Sequence, residues 1–172
     1  MQQPNFSIKE YRKRVSCFKC EKDKDSEEFI KQKCLYLEEN NLSRTYLILD
    51  EDVSEFKIKG FFSIAVKAFY FANETQDENR LKISKSIKNS VPAFLIGQLS
   101  KCDNQPKGVG SEILKYAIEK IKTVQNVIGG RFIYLDYKKD KLKLYDFYHN
   151  NGFEFMQNNP EHNEYNQMYI VI

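Results

Sequence analysis

The sequence predicts an α/β layered domain in which helices cover a mixed sheet. Three observations carry this. Short runs rich in β-branched and aromatic residues alternate with segments of helical periodicity along the chain. One of those segments, Ile113, Leu114, Ala117, Ile118, Ile121 and Val124, keeps an i, i+4, i+8 rhythm, with Glu112, Lys115, Glu119, Lys120 and Lys122 facing out. Glycine stops, Gly129-Gly130 and Asn150-Asn151-Gly152, divide helix from strand. With 172 residues, no internal repeat and no Pro/Gly-rich linker, the expectation is one domain, 1–172, with a real core.

In order, residues 5–16 read as an extended opening segment. Residues 26–40 read as a helix: Ser26 caps it, Glu27 and Glu28 suit its first turn, and Phe29, Ile30, Lys33, Cys34 and Leu37 lie near one face. Residues 44–50 form a strand, 51–55 a hairpin loop, and 56–66 a second strand. Residues 67–90 are a polar surface connection with one short helix on Leu81, Ile83 and Ile87. Pro92 opens a strand over 93–99, a position where no interior ladder donor is lost. After the polar loop 101–107 comes the amphipathic helix, then a strand over 131–137, a short helix over 140–150, and two closing strands near 153–156 and 165–172.

Composition excludes some function classes. Hydrophobic residues are 41% and charged residues 30%, an ordinary soluble profile. No apolar stretch approaches the ~20 residues that cross a bilayer, and Met1-Gln2-Gln3-Pro4-Asn5 has no signal-peptide organisation, so a cytoplasmic protein without membrane partners is expected. The net charge of +3 is too small to argue nucleic-acid binding by itself. Its distribution says more. Lys9, Arg12, Lys13, Arg14, Lys19, Lys22 and Lys24 make one basic stretch, and Arg80, Lys82, Lys85 and Lys88 another. Each is a solvated face or, if the fold gathers it beside a site, a phosphate-binding surface. Cys17 and Cys20 form a C-x-x-C pair, but Cys34, Cys102, His149 and His162 supply no second tight pair, so free thiols and no metal are expected.

The unit that carries chemistry is the strand 93–99, the loop, and the turn Gly108-Val109-Gly110-Ser111 at a helix start. Such a turn leaves backbone N–H groups unpaired and pointing one way, at the positive end of the helix dipole. Gly108 and Gly110 have no side chain to block a phosphate, and Lys107 adds charge, so a pyrophosphate is a natural ligand. The spacing is neither that of a P-loop nor that of the three-glycine dinucleotide fingerprint.

Gln105-Pro106-Lys107-Gly108-Val109-Gly110 resembles the coenzyme A pyrophosphate loop of GNAT acetyltransferases, Q/R-x-x-G-x-G/A. Leu95-Ile96-Gly97-Gln98-Leu99-Ser100 resembles that family's fourth strand, and Tyr145–Glu154 its closing helix with a Tyr-x-x-x-Gly-Phe ending. Together these cover residues 92–156 in the family's order. The resemblance implies a mixed, mostly antiparallel sheet with helices on both faces and a splayed central strand pair, into which the acetyl-pantetheine arm of acetyl-CoA fits. It implies that Leu99, Ser100 and Lys101 offer backbone groups to that arm, that Gln105, Pro106, Lys107, Gly108, Val109, Gly110 and Ser111 hold the pyrophosphate, and that the Leu99 N–H is an oxyanion donor. A neutral amine attacks the thioester directly, so positioning does most of the work. Tyr148, four residues before Gly152, matches the family's general acid for the leaving thiolate. Its other reading is a core aromatic. Tyr145 lines pocket or core, His149 faces solvent, and Asp136 and Tyr137 are candidates for a base, although an Asp there also suits a loop cap.

The N-terminal third resembles one GNAT subgroup, the toxins of toxin–antitoxin pairs that acetylate aminoacyl-tRNA. The matching segments are Phe18-Lys19-Cys20, Glu27-Glu28-Phe29-Ile30 and Asn41–Ile48; Glu21 stands where that subgroup has Gly. This implies tRNA as amine acceptor, basic patches for its phosphates, and an antitoxin protein as partner; a homodimer is a further expectation from the family. Two classes stay open: an acetyltransferase of aminoacyl-tRNA, of a small amine or of a protein, and a GNAT-shaped module that binds acyl-CoA without turnover.

Overall fold

The structure, a computed structural model, describes residues 7–50, 57–75, 77–84 and 89–172. The chain opens in a helix, α1 (Ile8–Ser16), where an extended segment was expected. The reason is local: Ser7 Oγ accepts from the Glu10 N–H at 3.2 Å, and Glu10 Oε2 accepts from the Ser7 N–H at 3.1 Å. This reciprocal capping box was readable as Ser-x-x-Glu.

The helix expected over 26–40 is α2 (Lys24–Glu28), a π-helical turn (Phe29–Lys33) and α3 (Cys34–Glu39). Its cap is Asp23, not Ser26: Asp23 Oδ1 accepts the Ser26 N–H at 3.2 Å. Next come β1 (Arg44–Leu49) and β2 (Ile58–Tyr70), so the chain stays extended past Val66; the expected loop 51–55 lies outside the described residues. The short helix is α4 (Asp77–Ile83), and Ile87 lies outside the described residues. Strand β3 (Ser90–Lys101) begins before Pro92, which is its third residue rather than its first. Then follow α5 (Val109–Ile128), β4 (Phe132–Lys138), α6 (Leu142–Asn150), β5 (Glu154–Asn158) and β6 (Tyr165–Val171).

The fold is mixed α+β on a six-stranded sheet of order β1-β2-β3-β4-β6-β5. The pairs β1–β2, β4–β6 and β5–β6 are antiparallel, and β3–β4 is parallel. That parallel ladder is short. Among the described residues it consists of Phe94 opposite Ile133 and Leu95 opposite Tyr134, although β4 runs on to Lys138.

The contacts divide the chain into two compact units, Met1–Ile64 with Gln98–Ala117 and Ala65–Gly97 with Ile118–Ile172. In the first, Val15, Phe18, Phe29, Ile30, Cys34, Ile58 and Phe61 make the core. Phe61 is its centre, edge-on to Phe18 at 5.4 Å and stacked on Phe29 at 6.0 Å. In the second, Phe69, Ile83, Ala93, Phe132, Tyr134, Met156 and Tyr169 pack together, with Phe69 edge-on to both Phe132 and Tyr134. No helix among the described residues is long and apolar enough to cross a membrane.

Candidate active site

The first group of candidate residues surrounds the start of α5. Gly108 has φ +96°, a backbone conformation L side chains rarely adopt, and a Cβ built there meets nothing within 4 Å. Its carbonyl accepts the Glu112 N–H at 3.1 Å, closing the first helical turn. The N–H groups of Val109, Gly110 and Ser111 take no protein acceptor among the described residues. The turn thus offers three amides to an open space at a helix N-terminus. Lys107 is exposed beside it. The loop before it is braced: Lys101 Nζ donates to the Gln105 carbonyl at 2.6 Å, and the Gln105 N–H to the Cys102 carbonyl at 3.1 Å.

The end of β3 is fixed from one side. The Cys102 N–H donates to the Lys59 carbonyl at 2.8 Å, so Cys102 turns its backbone to β2. Backbone groups alternate edges along a strand. Ser100 therefore shares that edge, while Leu99 and Lys101 turn theirs away from β2, where the resemblance puts the cofactor arm. Gly60 on β2 allows this approach: a Cβ there lies 2.5 Å from the Ser100 carbonyl oxygen and overlaps Ile113.

The segment carrying the toxin-like resemblance is tied to this loop. The Asp103 N–H donates to the Lys19 carbonyl at 3.1 Å, and Asp103 Oδ2 accepts the Glu21 N–H at 2.7 Å. Ser100 Oγ is a buried donor to Cys20 Sγ at 3.3 Å, and burial pushes the Cys20 thiol up. Glu27 Oε1 pairs with Lys31 at 2.6 Å and Oε2 accepts the Cys20 N–H at 2.9 Å; these two hold its carboxyl down at about 2. Cys20 and Ser100 thus occupy each other. Cys17 is exposed. Residues of α1, the π-helical turn and α3 line a separate open groove of about 420 Å³, with Arg12, Lys31 and Tyr36 on its walls, which sequence periodicity did not reveal.

The second group lies in the other unit. Tyr148 is buried on α6, and its ending is a Schellman cap: the Phe153 N–H donates to the Tyr148 carbonyl at 3.1 Å and the Gly152 N–H to the His149 carbonyl at 3.0 Å. Gly152 supplies the positive φ of 89° this cap needs. Phe153 is fully buried and sits 5.9 Å from the Tyr148 ring, the apolar contact that accompanies the motif. The Tyr-x-x-x-Gly-Phe spacing therefore has a structural cause besides any catalytic one. Tyr145 is half-buried between Tyr137, at 6.2 Å, and the exposed His149, stacked at 5.6 Å. The Tyr137 hydroxyl accepts from Asn166 at 2.9 Å. Asp136 Oδ1 accepts from Asn159 at 3.0 Å and Gln167 at 2.9 Å. Asp136 is exposed as a residue, and the partial desolvation of its carboxyl raises it only against the pull of those amides.

Of the second basic stretch, Arg80 donates to the Ala72 and Thr75 carbonyls and lies over Phe71, and Lys82 pairs with Glu154 at 2.9 Å. Lys85 and Lys88 are outside the described residues. In the first stretch, Lys9, Arg12 and Lys13 stand exposed on α1.

No family model and no curated protein matches the chain. Solved structures do. AtaT in complex with acetyl-methionyl-tRNAfMet superposes with a TM-score of 0.73 at 15% identity, over 91% of this chain and 86% of that one. A protein described as a bacterial toxin gives 0.75 at 14% identity, over 99% and 88%. The chain has the GNAT fold. A tyrosine-to-phenylalanine mutant of AtaT, bound to acetyl-CoA and the C-terminus of the antitoxin AtaR, shares this GNAT fold with a TM-score of 0.67 at 16% identity, over 91% and 84%. On this sheet the strand resembling the family's fourth is β3, whose ladder with β4 holds two residue pairs among the described residues.

Proposed function

We propose that this chain is an N-acetyltransferase, working as one domain, that carries the acetyl group of acetyl-CoA to a primary amine, and that this amine is the amino group of an aminoacyl-tRNA. The observation that carries the reading is the α5 turn, where Val109, Gly110 and Ser111 present amides without protein acceptors beside a glycine at positive φ. A diphosphate satisfies such amides and the helix dipole together. Gln105, Pro106 and Lys107 complete the loop around it.

From that anchor the thioester arm runs along β3, where Leu99 and Lys101 turn backbone groups outward. The Leu99 N–H donates to the thioester oxygen as negative charge develops there; a preorganised donor of this kind contributes about 3–4 kcal/mol. Tyr148 gives its proton to the departing sulfur. Ser100 contributes by holding Cys20 rather than as a nucleophile. The tRNA acceptor is supported by the AtaT complex with acetyl-methionyl-tRNAfMet, by the Phe18-Lys19-Cys20 segment seated against the loop, and by the exposed cations of α1. An antitoxin protein is the partner this reading brings with it, as AtaR is for AtaT.

Incubation with labelled acetyl-CoA and bulk charged tRNA tests the proposal. Label in RNA that is lost on deacylation is the expected result. Label confined to protein or polyamine rejects tRNA as acceptor, and acetyl-CoA binding with no coenzyme A release for any amine rejects the enzyme.

A further inference from the structure

In the second unit a chain of locked amides ends on one carboxylate. Gln157, 3% exposed, accepts the Ala72 N–H at 2.9 Å and the Thr75 hydroxyl on Oε1. Its Nε2 donates to the Tyr70 carbonyl at 2.8 Å and to Gln167 Oε1 at 2.7 Å. With its oxygen so engaged, Gln167 turns its Nε2 to Asp136 Oδ1 at 2.9 Å. Asn159 is fixed in the same way: its Oδ1 accepts the Glu161 and His162 N–H groups, so its Nδ2 faces Asp136 Oδ1 at 3.0 Å. Neither amide flips without breaking its other bonds.

Both donors therefore meet one oxygen. Among the described residues Asp136 Oδ2 takes no hydrogen bond, and no Lys or Arg forms an ion pair with Asp136. The charged and titratable groups that bear on it are Lys67 on β2, Tyr134 on its own strand and His162 before β6, with Glu161 acting on Tyr134. A loop cap needs backbone donors; among the described residues this carboxylate has none, and side-chain amides aim it instead.

Its place in the sheet matters too. Asp136 is two residues past the last β3–β4 pair, Leu95 with Tyr134. The same step along β3 reaches Gly97, where a built Cβ meets only the Leu95 side chain, at 3.7 Å. The unspent oxygen thus belongs to the stretch of β4 past its last pair with β3 among the described residues, and the same count along β3 ends on a residue with no side chain.

We infer that Asp136 is the general base of the proposed transfer, taking a proton on Oδ2 from the acceptor ammonium, directly or through one water. The inference rests on the acetyltransferase reading. The ammonium yields one proton to Asp136, which passes it to solvent. Its nitrogen then bonds to the acyl carbon, the carbon–sulfur bond breaks as Tyr148 protonates the sulfur, and the nitrogen releases its second proton to solvent, from which Tyr148 is reprotonated. Desolvation raises the carboxyl's affinity for a proton, the direction a base needs.

The test is the pH profile of kcat/KM for Asp136→Asn and Asp136→Glu with acetyl-CoA and charged tRNA, alongside acetyl-CoA affinity and melting temperature. Asn keeps the acceptor that Asn159 and Gln167 use and removes the base. A fall of about 100-fold at neutral pH, narrowing as the pH rises through the amine's own ionisation, with unchanged acetyl-CoA affinity and partial rescue by Glu, supports the inference. Activity within twofold of wild type at every pH overturns it alone. So does a loss that tracks a lowered melting temperature equally in both variants. Wild-type protein that binds acetyl-CoA yet acetylates no amine overturns the underlying reading, and this inference with it.

Discussion

Gly108 and Gly129 form a matched pair at the two ends of α5. Both have positive φ, +96° and +75°, and at both a built Cβ meets nothing within 4 Å. Alanine at either therefore costs backbone strain without a clash, about 1–2 kcal/mol. For a chain of this size that lowers the melting temperature by about 2–8 °C. Only at Gly108 does the added methyl stand next to the amides that take no acceptor among the described residues. If it displaces one charge-assisted hydrogen bond, the loss is about 1.5–3 kcal/mol, or about 10- to 150-fold in acetyl-CoA affinity. Calorimetric titration of both variants, with melting curves of each without ligand, reads the two effects separately. Gly108→Ala should melt like Gly129→Ala but bind acetyl-CoA far more weakly. Equal affinities for the two variants refute the assignment of the turn.

Three further outcomes follow from the same geometry. Tyr148→Phe keeps the ring against Phe153 and removes the proposed proton donor, so kcat should fall about 10²- to 10⁴-fold while acetyl-CoA affinity holds; a kcat within twofold leaves Tyr148 as a cap residue only. Gly60→Ala brings a Cβ to 2.5 Å from the Ser100 oxygen and 3.2 Å from the Lys101 Cα, backbone that yields poorly. It should destabilise by about 1–3 kcal/mol and weaken acetyl-CoA binding with it, which paired melts and titrations check. Glu27 has its carboxyl held down from 4.5 to about 2 by Lys31 and then by the Cys20 N–H. A depressed carboxyl stabilises above its unfolded value and loses that contribution as the pH falls through its folded one. Melting temperature should therefore drop between pH 4.5 and 2 more steeply in wild type than in Glu27→Gln, and parallel curves contradict the tie.

The sheet strands and α5 were legible because their signals are local and periodic, as in Ile113–Val124. The turn before α5 was legible because Gly108 announces a backbone conformation few residues adopt. Other features were missed for separate reasons. The Ser7–Glu10 capping box was present in sequence, but the mixed character of residues 5–16 masked it. The extension of β2 to Tyr70 had no alternation to mark it, because Val66, Lys67 and Ala68 are all exposed before Phe69 turns inward. The tie of Lys19, Cys20 and Glu21 to Ser100 and Asp103 spans about eighty residues, and no local pattern encodes such a contact. The amide chain behind Asp136 is likewise a tertiary product: Thr75, Gln157 and Gln167 look like ordinary polar residues until the strands bring them together. Arg80 shows the converse, since a residue that reads as surface charge is spent on the Ala72 and Thr75 carbonyls.

Backbone amide chemical shifts recorded while coenzyme A is added to the labelled protein address the diphosphate anchor without relying on turnover. Saturating shifts concentrated at Lys107–Ser111, and reduced for a ligand lacking the diphosphate, are the expected result. Saturable binding that leaves those amides unmoved, or moves them no more than Gly129 at the far end of the helix, contradicts it.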